Sequence, residues 1–481
     1  GDGVRTFVGV PFAAPPVGRL RWRPPQPVRP WHGVRDATTP GSPCPALPTI
    51  VAGDSSKGGS TNEDCLYLNV TTPTPLRHRL PVMLWIHGGG FLNGAGTDYD
   101  AAVLSREAGA VVVTINYRLG PFGFLALPGL SAEARDHASG NFGLQDQQAA
   151  MAWVRRNIAG FGGDPRKVTI FGESAGGISV CAQLASPLAH GLFQRAIIES
   201  GPCTARSRTL ASAEASGAGL AARLGCADAA TQVACMRGKG VAEILAAGGQ
   251  ALGSFGPVVG GELLPRQISD AIASGRFNHV PVIEGTNHDE DRLFVALFFD
   301  LQGNPVTAAQ YPALLQAQFG AAAPAVLARY PLSAFATPSE ALATVVTDSG
   351  FACPARAADA LLSRQVRTFA YEFNDPNAPE FLITDPVMPL RAFHAAEIPY
   401  IFRNAAVEAV FTPDQLALSR QMIGYWSRFA ATGDPNGRHA PQWPRYRTRS
   451  DLFQSLAPAA TRPIAGFAVD HNCAFWASLG A

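Results

Sequence analysis

The sequence lacks a strong net charge and contains very little lysine. Its 38 basic and 37 acidic side chains leave a formal charge of +1, so no field exists that would attract nucleic acid or an acidic membrane. Lysine occurs only at Lys57, Lys167 and Lys239, and the arginines that supply the other positive charges are scattered along the chain. We therefore expect no nucleic-acid partner.

Long apolar runs are also missing. No stretch approaches the 18 or more apolar residues of a membrane-spanning helix, so we expect no membrane span. The chain opens with Gly1 instead of a methionine or a charged leader followed by an apolar stretch. We therefore expect a trimmed or processed start.

The usual metal and nucleotide motifs are absent as well. The eight cysteines form no CxxC pair, and there is no HExxH, EF-hand, P-loop or Rossmann pattern. We therefore expect neither a cofactor nor a metal. Some cysteine spacings suit disulfides instead, since Cys226 and Cys235 can close a small loop while Cys44 and Cys65 bracket a Gly/Ser-rich stretch. Such loop crosslinks indicate an oxidising compartment.

What the chain does have is apolar sequence in a regular order. Hydrophobic residues make up 47% and charged residues 16%, which excludes a mainly disordered chain. Short β-branched runs alternate with amphipathic ones such as 144–161, a pattern typical of a mostly parallel sheet flanked by helices in an α/β fold. The predicted buried strands are 80–87, 110–117, 167–172, 195–200, 280–285 and 367–374.

The chain contains neither an internal repeat nor a linker long enough to divide it. We therefore expect residues 1–481 to form one domain, with helical insertions over roughly 300–365 and a helical C-terminal region.

The strongest chemical signal is FGESAGG, at Phe171–Gly177. It directly follows the strand VTIF and precedes the apolar segment ISVCAQLA, which is the strand, turn and helix context of a nucleophile elbow. Glycines at Gly172 and Gly176 would remove side chains from a crowded turn. The pattern predicts Ser174 as an exposed nucleophile at the carboxyl edge of the sheet.

A second glycine-rich segment, WIHGGGFLNGAG, follows another predicted strand. Successive glycines let backbone N–H groups approach the oxyanion of a tetrahedral intermediate. We assign this role to Gly89 and Gly90, together with the N–H of Ala175 after the nucleophile. The competing interpretation, a phosphate-binding turn, has no supporting P-loop or Rossmann pattern.

With such an elbow, a catalytic triad runs in the order serine, acid, histidine along the chain. Three histidines follow a plausible acid: His394, His439 and His471. His439 lies in a Gly/Pro/Asn turn and His471 is close to the chain end. His394 follows a strand and a loop, from which an imidazole could reach back over the sheet edge.

The acid candidates are Asp289, Glu290 and Asp291, in the loop after strand 280–285. Spacing does not choose among them, and a solvated acidic turn would explain any one of them. A metal site that joins His288 to these carboxylates is a further interpretation, without an HExxH or EF-hand pattern behind it.

Taken together, the motifs resemble the type B carboxylesterases, the α/β-hydrolase family that includes the cholinesterases. The resemblance implies Ser174 as nucleophile, Glu290 as acid and His394 as base. It also places the oxyanion donors at Gly89, Gly90 and Ala175. The matching segments span nearly the whole chain: 7–25, 63–70, 87–91, 116–125, 140–147, 161–177, 285–290, 394–402 and 432–436.

The activity implied by the resemblance is hydrolysis of small to medium carboxylic esters through an acyl-enzyme, without a cofactor. It also implies disulfides and, with them, a secreted or periplasmic protein. The implied pairs are Cys44 with Cys65, Cys226 with Cys235, and Cys353 with Cys473, while Cys181 and Cys203 are left unpaired.

The chain departs from the family pattern at several positions. Asp291 stands where a glycine usually follows the acid, and Gly260 replaces a usual aspartate. The segment between Cys44 and Cys65 has no aromatic residue, so the cation–π contact that holds a choline is not expected. Glu173, beside the nucleophile, adds negative charge near the pocket or serves a structural role.

Alternative functions share most of these residues. A lipase would need a large apolar lid, and a specialised aromatic, carbamate or polyester hydrolase would differ only in its pocket. A binding protein of this superfamily typically lacks the nucleophile, which is present here. Sequence alone neither places the aromatic side chains of Phe298, Phe299 and Phe381 nor indicates an oligomeric state.

Overall fold

The fold is known from a computed structural model, which describes residues 3–49, 53, 55–383 and 387–480. Gly1, where we expect the processed start, lies outside these residues. In the described part of the chain, no helix is both long and apolar enough to cross a bilayer.

Strands are numbered in chain order. Those that the sequence predicts are all present, with bounds shifted by a few residues at most. The strands are β1 Val4–Pro11, β2 Tyr67–Pro73, β3 Leu80–Ile86, β4 Val111–Ile115, β5 Gly163–Glu173, β6 Arg195–Glu199, β7 Arg208–Thr209, β8 Val258–Val259, β9 Val282–Asn287, β10 Thr368–Phe373, β11 Phe453–Leu456 and β12 Arg462–Ile464.

Helices fill most of the intervening chain. The predicted helix over 144–161 is observed as α4. The helices are α1 Ala102–Ala108, α2 Gly120–Phe124, α3 Pro128–Glu133, α4 Phe142–Asn157, α5 Ala175–Ala185, α6 Leu210–Arg223, α7 Gln232–Gly238, α8 Val241–Gly248, α9 Ile268–Ala273, α10 Arg292–Phe298, α11 Tyr311–Phe319, α12 Ala323–Arg329, α13 Pro338–Val346, α14 Cys353–Leu362, α15 Ile398–Ile401, α16 Ala405–Val410, α17 Pro413–Thr432, α18 Phe467–Asp470 and α19 Cys473–Ser478.

The described strands form a ten-stranded sheet in the order β1-β2-β4-β3-β5-β6-β9-β10-β11-β12, and a separate pair of β7 and β8. Neighbouring strands from β4 to β11 are parallel, while β1, β2 and β12 pair antiparallel at the two edges. The predicted α/β fold with a mostly parallel sheet is confirmed. Because parallel strands point the same way, the segments after β3, β5, β6, β9 and β10 all leave from one edge.

Side chains of β3 alternate between two cores, one on each face of the sheet. Met83 and Trp85 pack in a core with α10, α13 and α17, whereas Val82 and Leu84 pack in a core with α4, α5 and α9. This alternation follows from the two-residue period of a strand. A strand covered on both faces needs apolar residues at successive positions, which explains the continuous apolar runs of the central strands.

The predicted disulfides are present, joining Cys44 to Cys65, Cys226 to Cys235, and Cys353 to Cys473. The expectation that Cys181 and Cys203 are unpaired is wrong, because these two residues form a fourth disulfide. Cys181 lies on α5, which packs against β6, and Cys203 follows β6 directly. The packing therefore brings their Cα atoms to 5.2 Å, within the distance that a disulfide spans.

Candidate active site

Ser174 occupies the tight turn between β5 and α5. Its φ of 58° and ψ of −123° are strained for a residue with a side chain. A hydrogen bond to β6 stabilises the turn, since the Ser174 amide donates to the carbonyl of Glu199 at 2.9 Å. The predicted strand, elbow and helix are therefore all present around this serine.

The elbow lies against the end of β3. A Cβ atom added at Gly176 would lie 2.0 Å from the carbonyl oxygen of Ile86, and one added at Gly172 would lie 2.5 Å from the same oxygen. Both distances are far below van der Waals contact, and the obstructing atom belongs to the backbone. The close approach of β5 and α5 to β3 therefore requires glycine at both positions.

The glycine-rich segment after β3 runs past the elbow. Gly89 and Gly90 have φ values of 95° and 62°, a region that favours glycine. Among the described residues we find no acceptor for the N–H groups of Gly89, Gly90 or Ala175. Ala175 is the first residue of α5, where a helix leaves its N–H groups free. These three donors are available to a ligand beside Ser174.

Of the three acidic candidates, Glu290 is the one that contacts His394. Its Oε2 lies 2.6 Å from His394 Nδ1, and its Oε1 accepts hydrogen bonds from Thr286 Oγ1 at 2.6 Å and from the Asn287 amide at 2.7 Å. The carboxylate is fully buried. These contacts fix the orientation of the carboxylate and, through it, of the imidazole.

The other two acidic side chains have different partners. Asp289 contacts His288 at 3.1 Å and Arg292 at 3.1 Å. Asp291 is buried, and burial raises the pKa of its carboxyl well above the usual value. Neither carboxylate hydrogen-bonds to His394 among the described contacts.

The two histidines considered beside His394 lie elsewhere. His439 is exposed in its turn. His471 is buried between Asp348 and Glu372, at 2.7 and 2.8 Å. Neither histidine lines the cavity that contains Ser174.

Glu173 contacts His394 from the side opposite Glu290. Its Oε1 lies 3.0 Å from His394 Nε2, but the two atoms are not aligned as a hydrogen bond. Burial lowers the pKa of His394, yet the charges of Glu173 and Glu290 outweigh it and raise that pKa well above its usual value. Burial also raises the pKa of Glu173, partly offset by His394. The pKa of His394 therefore depends on Glu173 as well as on Glu290.

Two more buried carboxyls lie close to this pair. Burial raises the pKa of Glu199 to about 8, with Trp426 donating to its Oε1. Burial and the neighbouring carboxylates likewise raise the pKa of Glu397, which accepts from Asn287. Neither residue was predicted as part of the site, although Glu199 could have been noticed in RAIIES as a glutamate that directly follows a short apolar run.

Ser174, His394 and the glycine-rich segment line one cavity of about 930 Å³. Its walls are mostly aromatic and aliphatic, and two of its phenylalanines, Phe294 and Phe351, lie against His394 with ring centroids 4.9 and 5.2 Å away. Phe298 and Phe381 also line it and are 55% and 41% exposed. The other lining phenylalanines are Phe91, Phe255, Phe393 and Phe402.

The family of this chain follows from comparison with known proteins. The family profile described as "Carboxylesterase family" matches residues 1–476. The chain belongs to the carboxylesterase family. The resemblance found in the sequence is thereby confirmed, and the protein is an α/β-hydrolase that hydrolyses small-molecule carboxylic esters.

Several characterised esterases are similar to this carboxylesterase over most of their length. The human protein named cocaine esterase is 36% identical over 504 residues, covering 98% of this chain and 87% of the relative. Para-nitrobenzyl esterase of Bacillus subtilis is 37% identical over 471 residues, covering 94% and 91%. Fumonisin B1 esterase of Sphingopyxis macrogoltabida is 37% identical over 470 residues, covering 94% and 83%.

Replacing Glu173 by glutamine should lower the pKa of His394. The substitution keeps the shape of the side chain but removes a buried acidic group 3.0 Å from Nε2, whose charge raises the pKa of His394. The measurement is an NMR titration with 13C-labelled histidine, in which the His394 signal is assigned from a His394→Gln sample. Glu133→Gln, on the surface, is the matched control. An unchanged or higher pKa in Glu173→Gln would contradict this account of the site's charge.

Proposed function

We propose that Ser174 is the nucleophile of this ester hydrolase, with His394 as general base and acid and Glu290 as the residue that orients His394. The observation that carries the proposal is the 2.6 Å contact between Glu290 and His394, on the wall of the cavity that also contains Ser174. A nucleophile, a base and a carboxylate that orients the base are the parts that this chemistry requires.

In the first half of the reaction, Ser174 Oγ attacks the ester carbonyl carbon while His394 Nε2 takes the hydroxyl proton. The carbonyl π electrons move to oxygen and form a tetrahedral oxyanion. When this collapses, the bond to the alcohol oxygen breaks, His394 gives its proton to the departing alcohol, and an acyl-serine remains. Glu290 stabilises the imidazolium without becoming protonated.

The second half repeats these steps with water. His394 takes a proton from the water that attacks the acyl-serine, and a second oxyanion forms. Its collapse breaks the bond to Ser174, which recovers its proton from His394, and the carboxylic acid leaves. No cofactor takes part in this proposed sequence.

We assign stabilisation of both oxyanions to the N–H groups of Gly89, Gly90 and Ala175. Support comes from their lack of acceptors among the described residues and from their position beside Ser174 in the same cavity. Preorganised donors of this kind each contribute roughly 3 to 4 kcal/mol to transition-state stabilisation.

For the substrate, we propose esters with a bulky apolar acyl or alcohol group. A mainly apolar cavity of about 930 Å³ is larger than a short ester needs, and its phenylalanines offer area for apolar contact. Two relatives are named for the esters on which they act, para-nitrobenzyl esterase and fumonisin B1 esterase.

The disulfides are compatible with an extracellular protein. We propose a secreted or periplasmic location, because an oxidising compartment allows such crosslinks to form and persist.

Ser174→Ala should reduce hydrolysis of p-nitrophenyl esters by at least about 10⁴-fold, since the acyl-enzyme can no longer form. Ser207→Ala changes another cavity-lining serine and should retain activity. Circular dichroism and thermal melting establish that both variants fold. Near-normal turnover by folded Ser174→Ala would overturn the assignment of the nucleophile.

Phe298→Ala should raise KM for bulky esters about five- to tenfold, because the half-exposed ring at the cavity wall loses apolar contact worth roughly 1 kcal/mol. KM for p-nitrophenyl acetate should stay within about twofold. Leu188→Ala removes an equally exposed side chain that does not line the cavity and serves as control. Equal changes for acetate and for bulky esters would contradict the proposed substrate class.

A further inference from the structure

Three side chains from distant parts of the sequence meet outside the catalytic cavity. His288 follows β9, Glu372 lies on β10, and His471 precedes α19. One ligand atom from each lies within 4.8 Å of the other two. None of the three lines the catalytic cavity, and the proposed ester chemistry leaves all of them unused.

The two imidazoles are held in the way that metal-ligating histidines usually are. His471 Nδ1 is 2.7 Å from Asp348 Oδ1, and His288 Nδ1 is 3.1 Å from Asp289 Oδ2. A carboxylate on one ring nitrogen fixes the tautomer that leaves the other nitrogen available to a metal. His471 Nε2 faces Glu372 Oε1 at 2.8 Å, so a nitrogen donor and an oxygen donor already converge.

The supporting carboxylates are themselves anchored. Asp348 Oδ2 accepts from the hydroxyl of Tyr330 at 2.7 Å, and Asp289 Oδ1 accepts from Arg292 at 3.1 Å. Both imidazoles are therefore oriented by side chains that have other fixed contacts. Such outer contacts are a usual part of a metal site and add to its affinity.

The charge around His471 favours a cation. Asp348 and Glu372 are both buried, and among the described residues neither forms an ion pair with a lysine or arginine. Two buried carboxylates therefore flank one imidazole, at 2.7 and 2.8 Å. A divalent ion ligated by that imidazole would balance the charge of both.

Access from solvent comes through His288. Its side chain is 37% exposed, whereas those of His471 and Glu372 are 3% and 2% exposed. The ring centroids of the two histidines are 5.3 Å apart. The site is thus closed on the protein side and open to water at His288, where a water molecule could complete a four-coordinate set.

We propose that His288, Glu372 and His471 form a binding site for a divalent transition metal of the zinc class. Two nitrogen ligands and one carboxylate select zinc, copper or nickel over magnesium and calcium, which prefer all-oxygen sites. In a tetrahedral zinc site, neighbouring ligand atoms are about 3.3 Å apart. A small inward movement of side chains already within 4.8 Å reaches that spacing.

This metal would connect three segments around the proposed acid. His288 is two residues from Glu290, and His471 is two residues from Cys473, which is disulfide-bonded to Cys353. The bound ion would therefore join the loop after β9 to β10 and to the C-terminal helix. We assign it a stabilising role, separate from the ester chemistry.

The test is isothermal titration of the full, EDTA-treated chain with Zn²⁺, together with thermal melting. Wild-type protein should bind one Zn²⁺ with micromolar or tighter affinity, and zinc should raise its melting temperature. His288→Gln, at a partly exposed ring whose loss the fold should tolerate, should weaken binding at least about tenfold. His32→Gln removes an exposed histidine elsewhere and should bind zinc like the wild type.

Glu372→Gln provides a second, isosteric variant, and it too should weaken binding at least about tenfold. Cobalt substitution adds a spectroscopic readout, since Co²⁺ in a four-coordinate site with nitrogen ligands absorbs strongly in the visible. Absence of saturable zinc binding, or equal affinity in His288→Gln and wild type, would overturn the proposal. His471 would then be a charged imidazolium that bridges two buried carboxylates.

Discussion

The close crossing of three backbone segments at Ser174 is the constraint on which the rest of the site depends. The end of β3, the turn from β5 to α5 and the end of β6 approach so closely that a single added carbon at Gly176 would lie 2.0 Å from the Ile86 carbonyl oxygen. A positive φ at a serine costs roughly 1 to 3 kcal/mol. The hydrogen bond from Ser174 to Glu199 and the packing on both faces of the sheet hold the backbone of Ser174 in this conformation. As a result, the Ser174 hydroxyl and the N–H of Ala175 lie at the edge of the sheet from which the loops after the other parallel strands leave.

The same crossing sets the electrostatics of the site. Glu173 ends β5 and is therefore held in the interior, where its carboxylate reaches His394 from the side opposite Glu290. Burial of Glu173 raises the pKa of its carboxyl, whereas the nearby His394 lowers it, so the titration of each group depends on the other. Glu173 and Glu290 together set the pKa of His394. They therefore also set the fraction of the enzyme in which His394 is a neutral base.

Local pattern predicted a large part of this structure. The central strands could be predicted because a strand covered on both faces must be apolar throughout. The elbow could be predicted because the close approach of neighbouring backbone segments requires its glycines. Contacts between distant segments were not visible. Spacing could not choose Glu290 over Asp289 and Asp291, because the choice depends on how the loop folds back under His394. The Cys181 to Cys203 disulfide and the His288, Glu372 and His471 cluster are set by helix and strand packing, which short sequence motifs do not record.

The most direct test of the account is the crystal structure of the enzyme after reaction with an alkylphosphonate p-nitrophenyl ester, whose tetrahedral phosphorus mimics the intermediate. We expect phosphorus bonded to Ser174 Oγ, and its unsubstituted oxygen about 2.7 to 3.1 Å from the amide nitrogens of Gly89, Gly90 and Ala175. The alkyl group should lie against the phenylalanines of the cavity. Phosphorus on another residue, or an oxygen directed away from these three amides, would contradict the account.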